Sequence, residues 1–341
     1  MKFGAVPTDQ AEGAILAHGI TLAHHLPDQK GRKIAKGTPL TPQHISDLIA
    51  NGVHTVVVAR LESGDVHENA AAQQLARALV HEGDKGGVQF TAASTGRVNL
   101  RAAHAGIVDI HAEAIHAVNR VDPAITVATV PLWRKVGAGG LIATIKIIPY
   151  AVRECLLKRA CRAAVGAIAL QGPHIADASL IETQVKNDVP PEKGRRAMRA
   201  RVGHFGVHLS PRIVVPHRTD DIAHALRTAP GALLMILTGS ATSDAHDVAP
   251  QAVRRAGGRV IHYGMPVDPG NLLFLGELED KPVIGLPGCA RSSALNGADW
   301  VLERVICGVD VTGTDIMAMG VGGLLKEIPT RPQPRTQADK Q

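Results

Sequence analysis

Aromatic side chains are scarce in this chain of 341 residues, which holds 4 Phe, 2 Trp and 2 Tyr. Its core must therefore be built from Ala, Val, Ile and Leu. The same scarcity argues against a single-stranded nucleic-acid platform, which needs exposed rings for bases to stack on. Cysteine is rare too: Cys155, Cys161, Cys289 and Cys307 form no CxxC pair. Neither a disulfide framework nor a thiolate metal knuckle is encoded, and reduced thiols are expected. No apolar run approaches the roughly 20 residues of a membrane-spanning helix. The opening MKFGAVPTDQ lacks an apolar signal core, so a cytoplasmic protein with no membrane partner is expected. The 17 His include no HxH pair and no HxxxH pair with an acidic third ligand, so no zinc site is predicted. His24 and His25 are adjacent and would point to opposite faces of a strand. No GxGxxG or GxxxxGKS/T phosphate loop and no internal repeat occurs.

The charge balance is mild, 37 Lys+Arg against 31 Asp+Glu, a net +6. It is spread along the chain, whereas a nucleic-acid binder concentrates its charge on one face or tail. A solvated surface or a small anionic ligand remains. With 45% hydrophobic and 20% charged residues, the composition is that of a globular protein of two or three domains.

Residues 1–150 read as an N-terminal α/β region. KGTPLTPQHISDLIANGVHTVVVA reads as turn, helix and strand, with Thr41 as N-cap, Pro42 at the first helical position, Gly52 as stop and a strand over Thr55–Ala59. A helix with Leu75 and Leu79 follows, then short β-like runs, then a helix over Ala151–Ala164. Arg97 is expected to be an exposed side chain. From about Ala178, apolar strands alternate with helices. Strands near 181, 213, 235, 260 and 284 are expected in one sheet, with Leu233–Leu237 away from its edge. The helix over TDDIAHALRTA is expected to be capped by Thr219 or Asp220. Alternation of this kind is the signature of a mostly parallel sheet covered on both faces. Residues 178–308 are thus expected to form a three-layer α/β domain. Its last helix is expected over 294–308, with Trp300, Val301, Val305 and Ile306 as the apolar stripe. The tail at 329–341 is Pro- and Gln-rich and expected to be disordered.

Two constellations carry chemistry. In LLMILTGSATSDAHDVAP, a buried strand delivers Thr238, Gly239, Ser240, Ala241, Thr242 and Ser243 at its C-terminal end. In open α/β sheets ligands bind at that edge. Small residues allow close backbone approach, and amides, hydroxyls and the following helix N-terminus favour an anion. An ordinary strand-to-helix turn is the plainer alternative. Asp247 begins the next helix. It reads either as an N-cap or as the holder of a metal or an attacking oxygen. The second constellation, Met265 to Trp300, contains loops at Val267–Asn271 and Leu286–Ser293. Pro269, Gly270 and Gly288 fix tight turns. Arg291, Ser292 and Ser293 then precede a helix. They read as an anion clamp or as a turn with an incidental Arg. Cys289 reads as a small buried filler or a reactive thiol.

These motifs resemble the molybdopterin-binding fold of the MogA, MoeA and gephyrin proteins. TGSATSDAHDVAP is similar to that family's TGGTG-x4-D-x2-P loop, with Asp247 on its catalytic acidic position. MPVDPGNLLFLGEL and KPVIGLPGCARSS are similar to a MoeA stretch ending in G-L-P-G-N-P-x-S, and KGTPLTPQHISDLIANGV to a MoeA N-terminal segment. The likeness is to a MoeA-like protein without the family's C-terminal β domain. Asp268 and Asn271 stand where MoeA has Lys, Cys289 where it has Asn, and Ser240 and Thr242 where it has Gly. The resemblance implies a pterin ligand, molybdopterin or its nucleotide form, held by Thr238 to Ser243, Pro269, Gly270, Gly288 and Arg291 to Ser293. It implies molybdate insertion or nucleotidyl transfer, with Mg²⁺ or molybdate placed by Asp247; the alternative is a non-catalytic carrier for a molybdoenzyme. It also implies a homo-oligomer, and the N-terminal half, reading as short of apolar anchors of its own, is likewise expected to pack on a partner.

Overall fold

In the computed structural model, residues 1–22, 32–80, 87–185, 189–268 and 270–325 are described. His24, His25, Pro269 and the tail at 329–341 lie outside them. The chain divides into one unit of Met1–Ala103 with Val108–Leu170 and a second of His104–Ile107 with Gln171–Gln341.

In the first unit, Thr41 caps the helix Pro42–Ala50 in a reciprocal capping box with His44, and Pro42 opens it. Gly52 follows at a positive φ of 74°, a conformation glycine adopts without steric cost. The strand Thr55–Arg60 then pairs antiparallel with Lys2–Pro7. Leu16, Leu40, Leu48, Val56 and Val58 form the apolar cluster beneath. A second, larger cluster collects Leu75, Leu79, Ile115, Val118, Leu157 and Ala160 from three helices. These pack on Val98, Leu100, Ile125, Val127, Ile142 and Ile145 of a four-stranded sheet. The N-terminal half therefore carries its own core, correcting the expectation of few anchors. Each apolar run is short, and only their convergence makes a core. Arg97 is exposed. The helix expected from Ala151 starts at Glu154, because Ala151–Arg153 is zipped as a strand to Asp65–His67.

The second unit is built on one seven-stranded sheet. Its strands are β1 (Asp177–Gln184), β2 (His208–Leu209), β3 (Ile213–Pro216), β4 (Leu233–Leu237), β5 (Arg259–Met265), β6 (Asn271–Leu278) and β7 (Lys281–Leu286). The helices are α1 (Glu192–Gly203), α2 (Thr219–Thr228), α3 (Val248–Arg255), α4 (Gly297–Ile306) and α5 (Gly313–Met317). β1 pairs parallel with β2, β3 and β4, and β4 pairs parallel with β7. β6 runs antiparallel to both β7 and β5. The five strands expected in one sheet are all there, and β4 lies inside it. The sheet is mixed: the pairings among β1, β2, β3, β4 and β7 follow the expected parallel pattern, and those of β6 depart from it. The cause is β6, NLLFLGEL, whose apolar run returns as a hairpin arm instead of crossing over through a helix.

β4 is buried on both faces, as its unbroken apolar run requires. Leu234, Ile236, Ile181 and Val283 meet Ile222 and Leu226 of α2 and Ala252 and Val253 of α3. On the other face, a Cβ added to Gly194 of α1 would lie 2.8 Å from the side chain of Leu237. Arg201 of α1 ties to Asp299 of α4. The cap of α2 is Arg218, with no side-chain hydrogen bond, so neither Thr219 nor Asp220 serves. α4 buries Ala298, Val301, Leu302 and Ile306, while Trp300 and Val305 are half-buried. α5 follows it, so it is not the last helix.

Candidate functional site

Because β1, β3, β4 and β7 are mutually parallel, their C-terminal ends lie on one edge of the sheet. β6 opposes β7 and β5 opposes β6, so the 266–270 hairpin connection lies on that edge too. One edge thus gathers the residues after Gln184, His217, the Thr238–Ser243 loop, the 266–271 loop with Gly270, and the stretch from Pro287 to Ser293. Ligands of open α/β sheets bind in such a place.

The Thr238–Ser243 loop is pinned at both ends. The Gly239 amide donates to the Thr183 hydroxyl at 2.7 Å. A Cβ on Gly239 would stand 2.6 Å from the Thr183 carbonyl oxygen, so only glycine allows this approach. At the far end the Ser243 amide donates to Asp247 Oδ2 at 2.8 Å, and the Val248 amide to Asp247 Oδ1 at 2.7 Å. Thr242 is buried, and its carbonyl accepts from the Tyr263 hydroxyl at 2.8 Å. Between the pins, the amides of Ser240, Ala241 and Thr242 have no partner among the described residues. Ser240 and Ala241 are exposed. Asp247 is therefore the N-cap of α3 and a clasp on the loop. Its carboxylate already faces the positive end of α3.

The second constellation is arranged differently from the expected clamp. Arg291 ends a 3-10 turn over Gly288–Arg291. Its stem lies over Gly194, and its guanidinium donates to the Thr238 carbonyl. It thus fastens the Pro287–Arg291 turn to the start of the loop. Ser292 and Ser293 do not open a helix. α4 begins at Gly297 under an Asn296 and Asp299 capping box. The Ser292 hydroxyl accepts from the Ala294 amide at 3.2 Å, and its carbonyl accepts from Arg201. Polar capping residues end the chain's freedom at 296, so the helix starts later than its apolar residues suggest. Gly270 is exposed with φ of 85°. Asp268 binds the Leu325 amide at 3.1 Å through Oδ1. Asn271 is 6% exposed; its Oδ1 accepts from the Leu273 amide, and its Nδ2 has no partner among the described residues. Cys289 is half-buried.

Residues 182–306 match the model of a probable molybdopterin binding domain. They belong to the molybdopterin-binding domain family. Residues 5–60 match a domain of unknown function (DUF8806). No curated protein matches the chain. Two solved structures show slight likeness. One is the molybdopterin biosynthesis MoeA protein from Pyrococcus horikosii, 14% identical, with 89% of this chain and 75% of that chain covered and a TM-score of 0.30. The other is a molybdenum cofactor biosynthesis protein from Pyrococcus furiosus, 16% identical, with 91% and 66% covered and a TM-score of 0.24. Likeness at this level bears no weight on fold or function.

The molybdopterin-binding domain holds one residue at its edge that the sequence motifs do not single out. His217 follows β3, and its Nδ1 lies 2.9 Å from the Thr183 hydroxyl oxygen. Burial pushes its ring below the ordinary histidine range, and the Asp247 charge pulls the other way. A His directly after an apolar strand ending in Pro was the available signal. No helix of the described residues is long and apolar enough to cross a membrane. Among them no group of three or more His, Cys, Asp or Glu stands together to hold a metal. The donors of the domain fit an anion. A cation at Asp247 would have to draw its other ligands from a bound phosphate and water.

Proposed function

We propose that this domain binds molybdopterin by its phosphate at the carboxyl edge of the sheet, in the service of molybdenum cofactor biosynthesis. The loop from Thr238 to Ser243 carries the reading. Its ends are tied to Thr183 and Asp247, and three consecutive amides between them lack partners among the described residues. A hydrogen bond to a charged group is worth about 1.5–3 kcal/mol, so a phosphate bridging these amides and the Ser240 hydroxyl would be held firmly. Arg291, fastened at the loop's start, adds positive charge on the neighbouring strand end. Gly270, Gly288, Ser292 and Ser293 complete the rim.

The same reading extends to molybdate insertion or nucleotidyl transfer, with Mg²⁺ brought by the nucleotide, because an acid stands beside the loop. A non-catalytic carrier for a molybdoenzyme is favoured by one observation: both Asp247 oxygens already accept backbone amides. The rest of the proposal is a cytoplasmic homo-oligomer, which light scattering tests; a monomer at micromolar concentration refutes that part. Titration with molybdopterin, followed by assays of MgATP-dependent adenylyl transfer and molybdate incorporation, tests the function. Binding with turnover supports the enzyme, and binding without turnover supports the carrier. Absence of binding overturns the proposal.

A further inference from the structure

We propose that His217 contacts the anion held by the Thr238–Ser243 loop through its Nε2–H, and that Thr183 is the positioning residue that aims it. This rests on the reading of that loop as a phosphate site. The wiring is local and one-directional. The His217 amide donates to the Gln184 carbonyl at 2.8 Å, which extends the β3–β1 pairing by one residue and fixes the backbone. The Thr183 hydroxyl accepts the Gly239 amide at 2.7 Å and lies 2.9 Å from His217 Nδ1. A hydroxyl has a single proton to give, and we assign that proton to Nδ1. The neutral ring then carries its own proton on Nε2. Thr183 is fully buried, so water does not compete for that hydroxyl.

No described residue accepts from Nε2, and the ring is half-buried at the edge. Because Thr183 also holds Gly239, the ring and the loop are fixed to the same atom. The unpaired amides begin at the next residue, Ser240. β3 and β4 flank β1 on opposite sides, and the Thr183 hydroxyl oxygen between them lies 2.9 Å from the ring and 2.7 Å from the Gly239 amide nitrogen. The charge acting on the ring is that of Asp247, from the segment before α3; β1 offers it the Thr183 hydroxyl, the Gly239 amide after β4 is spent on that same hydroxyl, and its own segment carries the exposed Arg218. With its proton affinity lowered by burial, the ring at neutral pH is a directed neutral donor. The ring spends Nδ1 on Thr183 and has Nε2 left for a ligand at this edge.

The test is ¹⁵N NMR of the His217 ring together with molybdopterin titration, in the full chain and in Thr183→Val, Thr183→Ser and His217→Phe. The wild-type ring should be the Nε2–H tautomer, and its Nε2 resonance should move on addition of inorganic phosphate and of molybdopterin. Thr183→Val should mix the tautomers and weaken molybdopterin by about tenfold or more, the worth of one charged hydrogen bond. His217→Phe should weaken it as much, and Thr183→Ser should restore both tautomer and affinity. Binding that is unchanged in His217→Phe, with an unmoved ring resonance, overturns the inference and leaves the proposed function standing. If the wild type binds no molybdopterin, the proposed function falls. The phosphate titration then decides His217 by itself: a shifted Nε2 resonance supports an anion contact, and an unmoved one overturns it.

Discussion

Replacing Asp247 by Asn separates the two duties of this carboxylate. Oδ1 accepts from Val248 at 2.7 Å and Oδ2 from Ser243 at 2.8 Å. Asn keeps one acceptor, and it caps helices as well as Asp does, so α3 survives. The other atom becomes an NH₂ facing the Ser243 N–H. A hydrogen bond to a charged acceptor is worth about 1.5–3 kcal/mol. Ser243 is exposed, and water recovers part of this, leaving a loss of about 1 kcal/mol. Removing the negative charge from the start of α3 costs about 0.3–1 kcal/mol more. The expected total is about 1.5–2 kcal/mol for Asp247→Asn. Asp247→Ala also forfeits the cap, adding about 1 kcal/mol. At about 2–4 °C per kcal/mol for a unit of this size, Asp247→Asn should melt about 3–8 °C below wild type. Urea unfolding and calorimetry measure both variants. Asp247→Asn stability within about 0.5 kcal/mol of wild type, the range of an ordinary surface change, would refute the clasp. Equal loss in Asn and Ala would refute the surviving cap. If turnover is found in the wild type and persists in a folded Asp247→Asn, the acid has no catalytic part.

Gly285→Ala should be the harshest small change, because its Cβ would fall 1.9 Å from the buried Phe274 ring. Expelling that ring costs about 3–5 kcal/mol, read as lost soluble expression or a collapsed melting temperature. Arg201→Met should cost about 3–5 kcal/mol by stranding the buried Asp299. It should also speed amide exchange over 290–294, whose carbonyls at 290, 292 and 294 Arg201 holds. Stability should fall with acidification below the unfolded-histidine range near 6.5. Burial depresses the folded His217 ring, so the unfolded state binds more protons there. His217→Gln should flatten that segment of the pH–stability curve, and an unchanged curve refutes the assignment. Cys307, whose burial pushes its thiol up to about 12, should resist alkylation at pH 8 in the native state. The exposed Cys155 should react, as peptide mapping by mass spectrometry will show.

Local signals wrote much of this molecule. Thr41 and Pro42 fix a helix start because capping and a preset φ act within one turn. The unbroken LLMIL run fixes a strand covered on both faces, because no other pattern hides alternate residues twice. The TGSATS loop and Asp247 were legible because small residues and an acid at fixed spacing are local chemistry too. The tertiary structure decided what depends on distant partners. It made β6 a hairpin arm and the sheet mixed. It took Ser292 and Ser293 off the helix end through Asn296 and Asp299. It gathered the scattered runs of residues 60–170 into a core. It also brought His217 to Thr183 and Thr183 to Gly239. Residues 183, 217 and 239 lie on three different strand ends, and only parallel pairing in register puts their side chains and amides within hydrogen-bond reach.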